Sequence, residues 1–235
     1  MLTARAIFLL LGIGLTQTAL ATPTCPSDRP WPPSFRFEYD IQATRAFLSL
    51  SGDNTLTLTR DGDAYALVSE TSAGIWFSAR QSSRGRVGAT GIEPAEYSER
   101  NGNKPLMTTH LDWKDERVTF SATDKIVPTE AQMQDRLSLM LQLGWLLRKR
   151  AAIGDLPVAG VRGSSIYHLV ARGAESVDTP AGRFKTLKFE RPMDASDDRL
   201  EIWLAPSLCD LPVRVRFTDR KGAVIANELR SATFP

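Results

Sequence analysis

Thr129-Glu-Ala-Gln-Met-Gln-Asp-Arg-Leu-Ser-Leu-Met-Leu-Gln-Leu-Gly-Trp-Leu-Leu-Arg-Lys-Arg150 is the one stretch with sustained helical periodicity in a chain that otherwise alternates like β-strand. Thr129 and Gln132 have capping-box spacing, Glu130 and Asp135 fall toward the N-terminal end, and Arg148, Lys149 and Arg150 gather where backbone carbonyls favour cations. These signals predict a helix over 129–150. Stepping around it places Met133, Leu137, Leu139, Met140, Leu141, Leu143, Leu146 and Leu147 on one broad arc, opposite Gln134, Asp135, Ser138 and Gln142. Burying six such side chains contributes roughly 10–20 kcal/mol gross, whereas an isolated helix of this length is marginal in water. The arc therefore demands a cover. The expected fold is mainly β: a large curved antiparallel sheet, a half-barrel, with one long amphipathic helix packed across its concave face.

The rest of the chain supplies the strands. Phe35, Phe37, Tyr39 and Ile41 alternate with Arg36, Glu38 and Asp40, and further short runs follow, broken at Ser51 to Asn54, Asp61-Gly62-Asp63 and Gly74. Gly85, Gly88 and Gly91 recur inside what would otherwise be strand, which marks a bend or bulge. A phosphate-cradling loop would need a helix to start there, and Pro94 intervenes instead. After the helix the strand pattern resumes at Ile166 to Val170, Phe184 to Glu190, Leu200 to Leu204, Val213 to Phe217 and Val224 to Leu229. So many strands make a sheet that must curl, because strands twist.

Residues 1–21 read as a signal peptide: Arg5, an apolar run from Ala6 to Leu15, then Ala19-Leu20-Ala21 before Thr22, which predicts export with cleavage after Ala21. The run is about half the roughly 20 residues a membrane span requires, and no later stretch is long and apolar enough. Residues 22–34, rich in proline, form an extended lead-in, and 35–235 form a single β-rich domain. Cys25 and Cys209 are the only cysteines, and in an oxidising compartment a disulfide is the natural pairing. A lipid-modified Cys25 and two independent thiols are the alternatives, the first disfavoured by Thr22-Pro23-Thr24. The formal charge of +2, or +1 once Arg5 is removed, argues against a nucleic-acid partner.

Catalytic signatures are missing: no Gly-x-Ser-x-Gly elbow, no His-Glu-x-x-His, no Cys-x-x-Cys. His110 and Asp112 share a strand face, the geometry of an acid–base couple or half a metal site, but no third ligand is identifiable. No metal and no cofactor are expected. Arg214 and Arg216 share a face beside Glu201 and Glu228, the pattern of cross-strand ion pairing, with an anion site as the alternative. Arg136 falls inside the apolar arc, where its charge must snorkel outward, meet a carboxylate or face a ligand head group.

Ser83-Arg-Gly85-Arg-Val87, Gly91-Ile-Glu-Pro94 and Tyr97, with Gln134 to Ser138, Thr179-Pro-Ala-Gly182-Arg-Phe184, Trp203-Leu-Ala205-Pro and Leu211-Pro212-Val-Arg214-Val-Arg216, resemble the bacterial exported proteins of domain-of-unknown-function family 3108. The likeness spans nearly the whole mature chain and implies a periplasmic protein with no established activity. The helix-in-curved-sheet layout is also similar to periplasmic lipoprotein carriers, by analogy of fold alone. The expected function is non-enzymatic binding of an apolar small molecule or lipid, with Arg136, Leu137, Met140, Leu143, Trp76 and Trp113 as candidate contacts. The alternatives are an envelope scaffold or adaptor with a filled core that contacts proteins through a sheet edge, and, more remotely, a hydrolase or lyase.

Overall fold

The computed structural model describes residues 24–46, 48–74, 77–193 and 198–235; residues 1–21, the Ala21–Thr22 junction and Trp76 lie outside them. Eight strands come first: β1 (Phe35–Arg45), β2 (Leu48–Asp61), β3 (Ala64–Ala73), β4 (Phe77–Gly88), β5 (Gly91–Asn101), β6 (Met107–Asp112), β7 (Arg117–Phe120) and β8 (Thr123–Pro128). An inserted segment follows, with β9 (Gln134–Asp135), α1 (Leu139–Arg148), β10 (Asp155–Ala159) and β11 (Ser164–His168). The chain ends in β12 (Val170–Thr179), β13 (Gly182–Arg191), β14 (Arg199–Ala205), β15 (Leu211–Thr218) and β16 (Val224–Thr233). Each strand of the two meanders pairs antiparallel with the next, and β16 pairs with β1, so that thirteen strands form one sheet running from β12 to β8. The sheet does not close. β9, β10 and β11 form a separate three-stranded sheet in which β9 and β10 are parallel.

Curvature follows from what α1 touches. Six inter-strand steps separate β15 from β5, about 29 Å on a flat sheet at about 4.8 Å each. Yet α1, ten residues and about 15 Å long, reaches both. Its Gln142 Oε1 accepts the amide of Ile92 in β5 at 2.8 Å, and Arg148 pairs with Asp210, just before β15, at 3.3 Å. Only a sheet curled around the helix brings those strands so close. Gly91 and Gly144 permit the approach: a Cβ on Gly91 would meet the Gln142 amide at 2.4 Å, and one on Gly144 would meet the Asp210 carbonyl at 2.7 Å. Gly144 is thus a packing residue inside the helix.

The helix is shorter than the capping signals predict. Gln132 takes a positive φ, Gln134 and Asp135 are extended and pair with Val158 and Ala159, and α1 starts only at Leu139. Pairing with a strand some twenty residues downstream overrides the local helix signals, which sense only nearest neighbours. Asp135 Oδ1 accepts the amides of Leu137 and Ser138 at 2.8 and 2.7 Å, a turn that leads the chain into α1. The apolar arc is buried as expected, at Met133, Leu137, Leu139, Leu141, Leu143 and Leu146. The residues opposite it, Gln134, Asp135, Ser138 and Gln142, are fully buried too, because the insert is wrapped on both sides.

Cys25 and Cys209 are joined, their Cα atoms 5.0 Å apart across a sequence separation of 184. Trp31 Nε1 donates to the Cys209 carbonyl at 2.7 Å, fastening the lead-in to the turn before β15. On the convex face the expected ion pairing of Arg214 with Glu228 (2.9 Å) and Arg216 with Glu201 (3.9 Å) is present. Reduction, or the double substitution Cys25→Ala with Cys209→Ala, is expected to destabilise by roughly 2–4 kcal/mol and lower the thermal midpoint by about 5–15 °C, since the bridge restrains a very long loop in the unfolded chain. Calorimetry with and without reductant checks this.

Candidate functional site

Where the inward side chains of the sheet are short and polar, the insert does not fill the hollow. A cavity of about 590 Å³ lies there. Asn54, Ser69, Thr71 and Gln81 on β2, β3 and β4 form one wall, and Leu200, Ile202, Val215, Phe217 and Ile225 on β14, β15 and β16 form another. The insert roofs it with Arg136, Leu137, Leu139, Met140, Ser165 and Tyr167. Ile225 is 42% exposed and marks an opening. The apolar wall follows from register: Leu200, Phe217 and Ile225 are cross-strand neighbours, as are Ile202 and Val215. On the polar wall Ser69 Oγ donates to Asn54 Oδ1 at 2.9 Å and Gln81 Nε2 donates to the Tyr97 hydroxyl at 3.0 Å.

Behind the roof lies a buried polar network that holds the insert on the sheet. Ser83 Oγ donates to Asp135 Oδ2 at 2.5 Å and the Tyr65 hydroxyl lies 2.9 Å from Ser83 Oγ. Asp135 N donates to Ser138 Oγ at 2.9 Å, and Gln134 Nε2 donates to the Ile92 carbonyl at 2.9 Å. Burial pushes the Asp135 carboxyl up to about 6 despite its hydrogen bonds from Ser83, Ser138 and Leu137, which pull the other way. Burial likewise pushes the Tyr65 and Tyr97 hydroxyls well up, so both stay protonated donors.

The structure brings three of the sequence-selected residues to the cavity: Arg136, Leu137 and Met140. Leu143 is instead buried among Leu139, Leu146, Val158, Phe189 and Leu204. Trp113 packs beside Leu111, Val118 and Met133, away from the cavity, with its Nε1 donating to the Pro94 carbonyl at 2.7 Å. Arg136 lies 3.6 Å from Glu99 with its side chain 52% exposed, so it both meets a carboxylate and fronts the cavity. Ser69, Thr71, Gln81 and Ser83 were missed by the sequence reading, although Ser69 and Thr71 share the alternating face of β3 with Tyr65 and Leu67, a recognisable signal. His110 is exposed and its nearest carboxylate is Glu96 at 3.7 Å, while Asp112 accepts the amides of Lys114 and Asp115. Among the described residues no group of three His, Cys, Asp or Glu could hold a metal ion.

A sheet curled around an inserted helix, with a cavity left between them, defines a barrel-like protein with an internal hollow. The family model described as "Protein of unknown function (DUF3108)" matches residues 38–229, and the chain belongs to that family. No curated protein matches it. Among solved structures, the β-barrel-like protein of domain of unknown function DUF1849 from Brucella abortus is 11% identical, with 86% of this chain and 98% of that chain covered at a TM-score of 0.57. At that identity the likeness establishes the fold alone. A putative outer membrane lipoprotein-sorting protein domain from Vibrio parahaemolyticus (10% identical) and a DUF1329 family protein from Desulfovibrio piger (8%) each align over 86% of this chain and 85% of theirs, at a TM-score of 0.29.

Asp135 makes stability depend on pH in a defined direction. Between the ordinary 3.8 and about 6 the folded protein keeps a proton that the unfolded chain has released, so this group's contribution is largest at low pH and falls as pH rises to about 6. Asp135→Asn keeps an acceptor for the Leu137 and Ser138 amides and offers its amide to Ser83. In urea titrations from pH 4 to 7, the stability of Asp135→Asn relative to the natural protein is expected to rise by roughly 2–3 kcal/mol up to about pH 6 and then level off. A difference that does not change with pH would show that Asp135 stays ionised throughout. Asp135→Ala, which strands two amides and a hydroxyl, is expected to cost at least about 3 kcal/mol near pH 4, a cost that falls as the pH rises to about 6.

Proposed function

We propose that this chain is a non-enzymatic binding protein, exported to the periplasm, that holds an apolar, lipid-like molecule between its curved sheet and the inserted helix. The cavity carries the reading. Its volume of about 590 Å³ lies within the range of roughly 300–1,000 Å³ typical of small-molecule sites. Leu200, Val215 and Phe217 offer a chain-like ligand apolar surface, with Leu139 and Met140 facing in from the helix. The Cys25–Cys209 bridge and the leader-like composition of residues 1–21 support export. A scaffold with a filled core would have no use for such a hollow, so the cavity favours the carrier over it.

Native mass spectrometry of protein purified from cells is expected to reveal a co-purifying lipid-like species, and a neutral apolar fluorophore such as N-phenylnaphthylamine is expected to bind one per chain. Val215→Trp, which puts a bulky ring into the hollow, should weaken that probe by about tenfold or more while moving the thermal midpoint by only a few degrees. Absence of both the co-purifying species and probe binding would end the carrier reading.

A further inference from the structure

Resting on that reading of the cavity, we infer that the ligand is an amphiphile with an anionic oxygen head, a carboxylate or a phosphate ester, and that Arg136 receives the head while the chain lies along Leu200, Phe217 and Ile225.

The seat of Arg136 is built. It follows β9 directly, and across the β9–β10 pairing its guanidinium lies over Gly160, where a Cβ would stand 3.0–3.1 Å from three guanidinium atoms. Thr109 Oγ1 donates to the Gly160 carbonyl at 2.8 Å and Gly160 N donates to the Gly163 carbonyl at 2.8 Å, so the platform is itself held. Glu99, the carboxylate beside Arg136, is 3.6 Å away and accepts from the Tyr97 hydroxyl at 3.0 Å. It steers the guanidinium without taking up its donors. Among the described residues no protein atom accepts a hydrogen bond from the Arg136 guanidinium, which presents up to five N–H groups in a planar fork suited to carboxylate or phosphate.

Charge on the lining points the same way. Arg136 stands on the lining, and among the described residues Asp198, which pairs with Arg220 at 3.7 Å, is the one carboxylate there. The guanidinium of Arg191 sits 4.0 Å above the Tyr167 ring and its Nε donates to the Asp198 carbonyl. A cationic head would be repelled by the Arg136 guanidinium, and a neutral one would leave its fork unused. Seating an acyl chain expels water and strengthens the ion pair at its end.

The test compares heads on one chain length. Dodecanoate, dodecyl phosphate and dodecanol are titrated at pH 8 against bound N-phenylnaphthylamine. Dodecanoate or dodecyl phosphate is expected to displace the probe at concentrations about tenfold or more below dodecanol, and which of the two is stronger separates a carboxylate source from a phosphate one. In R136Q the advantage of the charged head should shrink to less than about threefold. G160A, which pushes the guanidinium off its platform, should narrow it as well and serves if R136Q fails to fold. Equal displacement by charged and neutral heads, or an advantage unchanged in either variant, overturns the head-group assignment and leaves the carrier reading standing. Failure of all three amphiphiles and of the probe overturns both.

Discussion

A carboxylate buried out of reach of water fastens this molecule together. Asp135 accepts from Ser83 on the sheet and from the amides of Leu137 and Ser138 on the insert, so one side chain ties the start of α1 to β4. Burying such a group is costly unless its oxygens are satisfied, and a misplaced insert would leave them bare. The network therefore opposes alternative seatings more than it adds net stability. Tyr65, Ser138 and Gln134 extend it and Gln142 accepts from Ile92, so each of the four polar residues that a helical wheel turns outward makes at least one specific hydrogen bond.

Once the insert is seated, the shape of the sheet follows. Thirteen strands cannot lie flat over one short helix and still contact it on both flanks, and the glycines at the contacts mark where backbone and side chain come closest. Apolar side chains then divide the interior. Phe35, Phe37, Leu58, Leu67 and Ile92 pack with Leu137 and Leu141, while Phe189, Ile202 and Leu204 pack with Leu139, Leu143 and Leu146. Between these two bodies the inward positions of β2, β3 and β4 carry Asn54, Ser69, Thr71 and Gln81, too short and polar to meet the helix. The cavity is the space those residues leave.

The outer face is organised by a different rule. Arg86 with Glu93, Arg214 with Glu228 and Arg230 with Asp40 pair across or along strands at 2.6 to 2.9 Å in contact with solvent. Each such pair contributes about 0–1 kcal/mol, so these charges maintain solubility and register more than stability. The edge strand β12 carries Arg172, Glu175 and Asp178, charges of the kind that discourage pairing with another chain.

Much of the strand content was legible in the sequence because alternation and turn residues are local signals, and the motifs that carry the family likeness turn out to be structural: Ser83 and Asp135 face each other in the buried network, and Thr179 to Gly182 is the turn joining β12 to β13. β10 escaped notice because Asp155-Leu-Pro-Val-Ala159 does not alternate, and the helix was read too long because β10 claims Gln134 and Asp135. By itself the sequence determined the β-rich class, an oily segment in need of cover and two cysteines suited to pairing. Only the tertiary structure decided that the polar side of that segment would be buried, that Leu143 and Trp113 would pack away from the cavity, and that Arg136 would lie on Gly160 at its wall. Those outcomes depend on contacts between residues tens of positions apart, which periodicity along the chain does not encode.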